Sequence, residues 1–233
     1  MAGNFLMNGG TMDIKLYSRE KGSGTPLVLL HGNGEDGTYF ESQMEYFSSK
    51  YRVIAVDTRG HGRSPRGGKK FCLDTFADDL NDFFVYTGLP PAHLLGFSDG
   101  GNIALLFALK HPEKIKSLIL NGANLFPDGM TEETHSEIQA QYQNFRKNGD
   151  IKNMELFELM LNEPDIDPAE LQKVTVPALI IAGDRDMIKE EHTRLIAGSL
   201  PMAELKIIPG SHFIAKENPL TFNREVEAFL RKI

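Results

Sequence analysis

A doubly wound, mostly parallel α/β sheet is the fold this sequence predicts. Three observations point to it. Short runs of apolar residues recur without alternation, which suits strands covered on both faces. Stretches with helical apolar spacing lie between most of the runs, which suits βαβ crossovers. Glycines and candidate reactive side chains follow the runs directly, where ligands bind in a parallel sheet.

In chain order, Phe5–Met7 and Met12–Tyr17 flank Asn8-Gly9-Gly10 and predict a hairpin, because Asn and Gly accept positive φ. Six apolar runs then predict the core strands: 26–30, 52–56, 94–97, 115–120, 178–182 and 205–208. Phe76, Leu80, Phe83 and Phe84 form one helical stripe, with Asp78, Asp79 and Asp82 opposite. Residues 103–111 are nearly all apolar and predict a buried helix that stops before Pro112. Val226, Phe229 and Leu230 predict a closing helix.

Residues 126–172 carry no strand signal. They read as amphipathic helices over 131–147 and 151–162 and a short one from Pro168, punctuated by Asn148-Gly149-Asp150 and Glu163-Pro164-Asp165. An insertion this short predicts a helical lid on a single core built from 1–125 and 173–233.

Composition narrows the function. Twenty-five Lys and Arg against 32 Asp and Glu give a net charge of −7, the wrong sign for a nucleic-acid partner. The longest apolar run, 103–109, is far short of the ~20 residues of a membrane span. No basic start followed by an apolar stretch opens the chain, and Cys72 is its one cysteine, so a cytoplasmic protein is expected. No cluster has metal-ligand spacing and no phosphate loop has the right setting, so neither metal nor cofactor is expected, and a small molecule is the expected partner.

The chemistry concentrates after the strands. Gly96-Phe97-Ser98-Asp99-Gly100 follows a strand and opens the apolar helix. That is G-x-S-x-G in a strand–turn–helix context, where the serine adopts a strained backbone and side chains at 96 and 100 would clash. A serine hydroxyl needs a base, and the base needs a partner to fix its tautomer. Seven histidines compete for the role of base: 31, 61, 93, 111, 135, 192 and 212. Position alone reads His93, His111 and His192 as surface or capping residues and puts His135 in the lid.

Taken together, His31-Gly32-Asn33-Gly34, the 57–64 segment Asp-Thr-Arg-Gly-His-Gly-Arg-Ser, the elbow at Ser98, Gly183-Asp184-Arg185-Asp186 and Gly210-Ser211-His212 resemble the α/β-hydrolase fold enzymes. Ser98-Asp99-Gly100-Gly101, with Asn121-Gly122-Ala123-Asn124 further on, looks most like the biphenyl-hydrolase-like (valacyclovir hydrolase-type) esterases. The resemblance implies a serine hydrolase with Ser98 as nucleophile and His212 as base. It selects Asp186 over Asp184 as the acid, with Asp128 an outside candidate. His31 and His61 become structural residues, and the oxyanion hole falls to the backbone N–H groups of Asn33 and Asp99. The expected activity is cleavage of a small carboxylic ester, ahead of an amide or lactone. A serine at the elbow argues against the family's dehalogenases and epoxide hydrolases, which use aspartate there. The rivals are a C–C hydrolase or lyase on the same triad and a non-catalytic small-molecule receptor.

Asp99 is unusual, since a carboxylate ~5 Å from an oxyanion at an effective dielectric of ~20 costs about 3 kcal/mol. Two readings stand: it serves the helix N-terminus, or it faces the pocket as a substrate-binding residue for a cationic group.

Overall fold

The computed structural model describes residues 5–7 and 10–233. β1 (Phe5–Met7) and β2 (Gly10–Met12) pair antiparallel as a small separate ribbon. Most of the expected turn, Asn8 and Gly9, lies outside the described residues, and the second arm ends at Met12 instead of continuing to Tyr17. The main elements follow: β3 (Ser18–Lys21), β4 (Pro26–Leu30), α1 (Glu41–Phe47), β5 (Arg52–Val56), α2 (Leu73–Thr87), β6 (Ala92–Phe97), α3 (Asp99–Lys110) and β7 (Ile115–Asn121). Next come α4 (Glu132–Asn148), α5 (Ile151–Asn162), β8 (Ala178–Arg185), α6 (Glu190–Ser199), β9 (Ala203–Ser211), α7 (Ile214–Glu217) and α8 (Pro219–Leu230).

Seven strands form one sheet in the order β3-β5-β4-β6-β7-β8-β9, parallel except for β3. The apolar runs become its centre because both faces are covered. Leu27 and Leu29 of β4 join one buried cluster with Phe47 of α1 and Phe222, Val226 and Phe229 of α8. Val28 and Leu30, one residue out of phase, join the other with α2, α3 and Ile196 of α6. Strand period two divides a continuous apolar run between two helix layers.

The sequence pattern did not reveal β3, α1 or α6. β3 reads Ser-Arg-Glu-Lys and sits at the sheet edge, where only one neighbour supplies a ladder and charge protects the open side. Arg59, wholly buried beyond β5, holds its loop to α2 by two 2.6 Å bonds to Asp79 and reaches Asp13 at 2.6 Å. This loop therefore rests on a desolvated ion pair rather than on secondary structure.

Candidate active site

Ser98 stands between the carboxyl end of β6 and the start of α3 with φ 52° and ψ −122°. It is the one non-glycine residue with positive φ among those described. Strain of this kind, of order 1–3 kcal/mol, persists only where the surroundings enforce it. Here a Cβ at position 96 would collide with the Gly100 carbonyl, and one at 100 with the Leu30 carbonyl. The Ser98 N–H is anchored on the Asn121 carbonyl of β7 at 2.8 Å.

His212 follows β9, and its Nδ1 lies 2.6 Å from Asp186 Oδ1. Both side chains are nearly dry, at 4% and 3% exposure. An ionised carboxylate only accepts, so the proton of this bond sits on Nδ1 and leaves Nε2 as the basic nitrogen. Asp186 Oδ1 also accepts the Ile188 N–H at 3.0 Å. Gly122, with φ +62°, lies against the pair, and a Cβ there would enter the imidazole. Asp184 is separate: it accepts the Gly210 N–H at 3.0 Å and faces Arg185 at 3.7 Å. Asp128 lies in a short 3₁₀ turn, where its backbone carbonyl accepts Lys189 Nζ.

The loop after β4 is held from behind by two histidines. His31 Nε2 accepts the Thr58 N–H at 3.0 Å, and His61 Nε2 accepts the Gly34 N–H at 3.1 Å. Both rings must be neutral to accept there, and burial lowers both pKa values, that of His31 to about 3. Gly32 lets the loop pass against Phe97 and Ser98, where a Cβ would crowd both. The opposite oxyanion candidate, Asp99 N–H, is the first amide of α3 and has no acceptor within its own helix.

The Asp99 side chain is buried, with the residue 8% exposed. Its partners are amides: Asn33 Nδ2 at 2.9 Å and, at a long 3.5 Å, Asn102 Nδ2. No lysine or arginine bonds to it among the described residues. Burial raises its pKa to about 6, against the lowering effect of the Asn33 bond, and the charge of Glu163 raises it further. Asn33 Nδ2 also donates to the Leu156 carbonyl of α5 at 3.0 Å, so the inserted helix reaches the loop after β4 at this point.

The family model of the alpha/beta hydrolase fold matches residues 25–153. The chain belongs to that family. A putative carbamate hydrolase, RutD, from a Caulobacter species is 27% identical across 96% of this chain and 98% of its own. Human serine hydrolase BPHL is 29% identical across 94% of this chain and 84% of its own. Among solved structures, a putative non-heme bromoperoxidase, BpoC, from Mycobacterium tuberculosis superposes with TM-score 0.82 at 20% identity, covering 95% of this chain and 97% of its own. At that identity the likeness speaks for the fold alone.

Within this α/β hydrolase the remaining histidines separate from the site. His93 is buried in β6 on Ser117 Oγ at 2.8 Å, which corrects its surface reading. His192 is corrected likewise: it is 5% exposed, accepts the Leu125 N–H at 2.9 Å and packs edge-on to Phe126, where the insertion leaves the sheet. His111 caps the end of α3. His135 lines a cavity of about 470 Å³ with Asp128 and Lys189 that includes none of Ser98, Asp186 and His212. A cavity of about 280 Å³ does reach Asp186 and His212, and Thr131 and Thr134 of the insertion line its other side.

Sequence reasoning missed Asn102 and the role of Asn124. Asn102 donates to Asn124 Oδ1 and accepts the Asn124 N–H, both at 3.0 Å, which ties α3 to the strand end beneath Asp99. A polar residue at position 102, directly before the apolar run that fills α3, was the available signal. No helix among the described residues is long and apolar enough to cross a membrane.

Proposed function

We propose that this α/β hydrolase cleaves a small carboxylic ester through an acyl-enzyme on Ser98. The observation that carries the reading is the 2.6 Å His212–Asp186 bond, with the imidazole packed 4.8 Å from the ring of Phe97, the residue just before a serine held at positive φ on a helix N-terminus. In the reading, His212 Nε2 removes the Ser98 proton as Oγ attacks the carbonyl carbon. Asp186 keeps the imidazole in the Nδ1–H tautomer and stabilises the imidazolium that forms. The N–H groups of Asn33 and Asp99 receive the oxyanion, each such donor being worth about 2.7–4 kcal/mol of barrier. His212 then protonates the leaving alcohol, and water releases the acid by the reverse sequence. The 126–172 insertion acts as the lid.

We further assign Asp99 to substrate binding. A carboxylate surrounded by amides and short of a cation favours a substrate with a positive group near the scissile carbonyl, such as an aminoacyl ester. The similarity to RutD, a putative carbamate hydrolase, and to BPHL, a serine hydrolase, is compatible with acyl transfer at Ser98. A burst of p-nitrophenol from a short-chain ester, stoichiometric with enzyme and absent from Ser98→Ala, tests the acyl-enzyme. Undiminished turnover by Ser98→Ala would remove Ser98 from the mechanism, and no detectable hydrolysis of any ester by the wild type would leave a receptor as the better reading.

A further inference from the structure

Asp184, near the end of β8, and Asp186, just beyond it, reach across to the end of β9 and to the residue that follows it. Asp184 meets Gly210 and Asp186 meets His212. The two contacts are rungs spaced two residues apart on each strand. They stand where the ladder itself fails. Gly183 pairs with Ile208 and Arg185 with Ser211, so β9 advances three residues while β8 advances two. The extra residue makes a bulge, and a bulge re-aims the side chains that follow it. An inserted residue also leaves an amide without its ladder partner, which must be met by another acceptor. Asp184 Oδ1 is that acceptor, at 3.0 Å from the Gly210 nitrogen. Gly210 has φ +147°, a conformation that suits glycine and frees its N–H to turn toward Asp184.

A second carboxylate braces the same turn from its outer side. Glu217 of α7 accepts the Ser211 N–H at 2.9 Å and the Ser211 hydroxyl at 2.7 Å. The two amides immediately before His212 in the turn are therefore both held by carboxylates. Neither acid touches the imidazole, and each fixes the backbone from which it projects.

We propose that Asp184 is a positioning residue: by accepting the Gly210 N–H it fixes the β9 bulge, and with it the distance at which His212 meets Asp186. Glu217 assists from the outer side. The inference rests on the triad reading above. It assigns the two aspartates of the Gly-Asp-Arg-Asp segment two successive rungs, one structural and one chemical.

The test compares Asp184→Ala, Asp184→Asn and Glu217→Ala with wild type and Ser98→Ala. The readouts are steady-state ester hydrolysis and the downfield proton resonance of the His212 Nδ1–H bond. Misplacement by about 1 Å can cost on the order of a hundredfold in rate. Asp184→Ala is expected to lower kcat by about ten- to a hundredfold at unchanged KM, and to broaden or shift the downfield proton. Asp184→Asn keeps an acceptor oxygen and is expected to restore both readouts. Glu217 is exposed, so Glu217→Ala leaves the core untouched and is expected to give a smaller loss in kcat alone, a check that holds even if Asp184→Ala does not fold. Wild-type kcat in Asp184→Ala with its resonance intact, or an Asn variant as impaired as the Ala variant, would overturn the inference. If Ser98→Ala stays active, the triad reading itself has failed, which is a separate result.

Discussion

Asp186 and Asp99 are the same residue type at the same edge of the sheet, and both are buried. The Asp186 side chain is 3% exposed and Asp99 is 8% exposed. They differ in what surrounds them. Asp186 has an imidazole at 2.6 Å and the Ile188 amide at 3.0 Å. Asp99 has two neutral side-chain amides, and its pKa rises to about 6. The first environment can stabilise a cation that appears during turnover. The second offers no bond from a lysine or arginine among the described residues. A carboxylate's job is set by its partners, not by its burial.

The largest expected effect separates the two at once. Asp186→Asn should keep the shape of the site but favour the wrong imidazole tautomer, lowering kcat by about 10⁴-fold on cationic and neutral esters alike. Stopped-flow or steady-state assay on both substrates checks this, and unequal losses would blur the division between the two acids.

A stability measurement sharpens the comparison from the other side. Burial lifts the Asp99 pKa from the ordinary 3.8 to about 6 in the folded chain. Below about 3.8 both folded and unfolded chains carry its proton. Between about 3.8 and 6 the folded chain retains a proton that the unfolded chain has lost, so this residue's contribution falls as pH rises, and it levels off above 6. Asp99→Asn has no such slope. Chemical denaturation should therefore find the variant gaining on wild type through this window, by about 3 kcal/mol at pH 8. A constant difference across the window would mean that Asp99 is ionised on folding at little cost.

The smallest of these effects is kinetic. The ratio of kcat/KM for a cationic ester over a neutral one of equal size should rise about tenfold as pH climbs through 6, because Asp99 gains its charge there. His212 acts on both substrates alike, so its contribution cancels in the ratio. A flat ratio would detach substrate charge from Asp99.

Much of this was legible in the sequence, for local reasons. A strand buried on both faces must be continuously apolar, and β4 and β5 begin and end where their runs do. The elbow at Ser98 carries both of its glycines, 96 and 100, within five residues, so its signal is intact in the sequence even though Gly100 is required by the Leu30 carbonyl of β4. Other features depend on partners distant in the chain. The polar edge strand β3 is a strand only because β5 lies beside it. His192 meets residues far away in the chain, Leu125 at the end of the core and Phe126 at the start of the insertion. The environment of Asp99 draws chiefly on Asn33, 66 residues away, and periodicity reports nothing about side chains that meet over such a distance.

The division between the two carboxylates is tested most directly by one substrate pair. An aminoacyl ester and its neutral isostere are assayed with wild type, Asp99→Asn and Asp186→Asn at pH 8. The account predicts that Asp99→Asn lowers kcat/KM for the cationic ester by at least about tenfold and leaves the neutral ester unchanged or faster. Asp186→Asn should depress both by the same factor. If Asp99→Asn lowers both equally, Asp99 supports the elbow without reading substrate charge, and the assignment of selectivity to it is wrong.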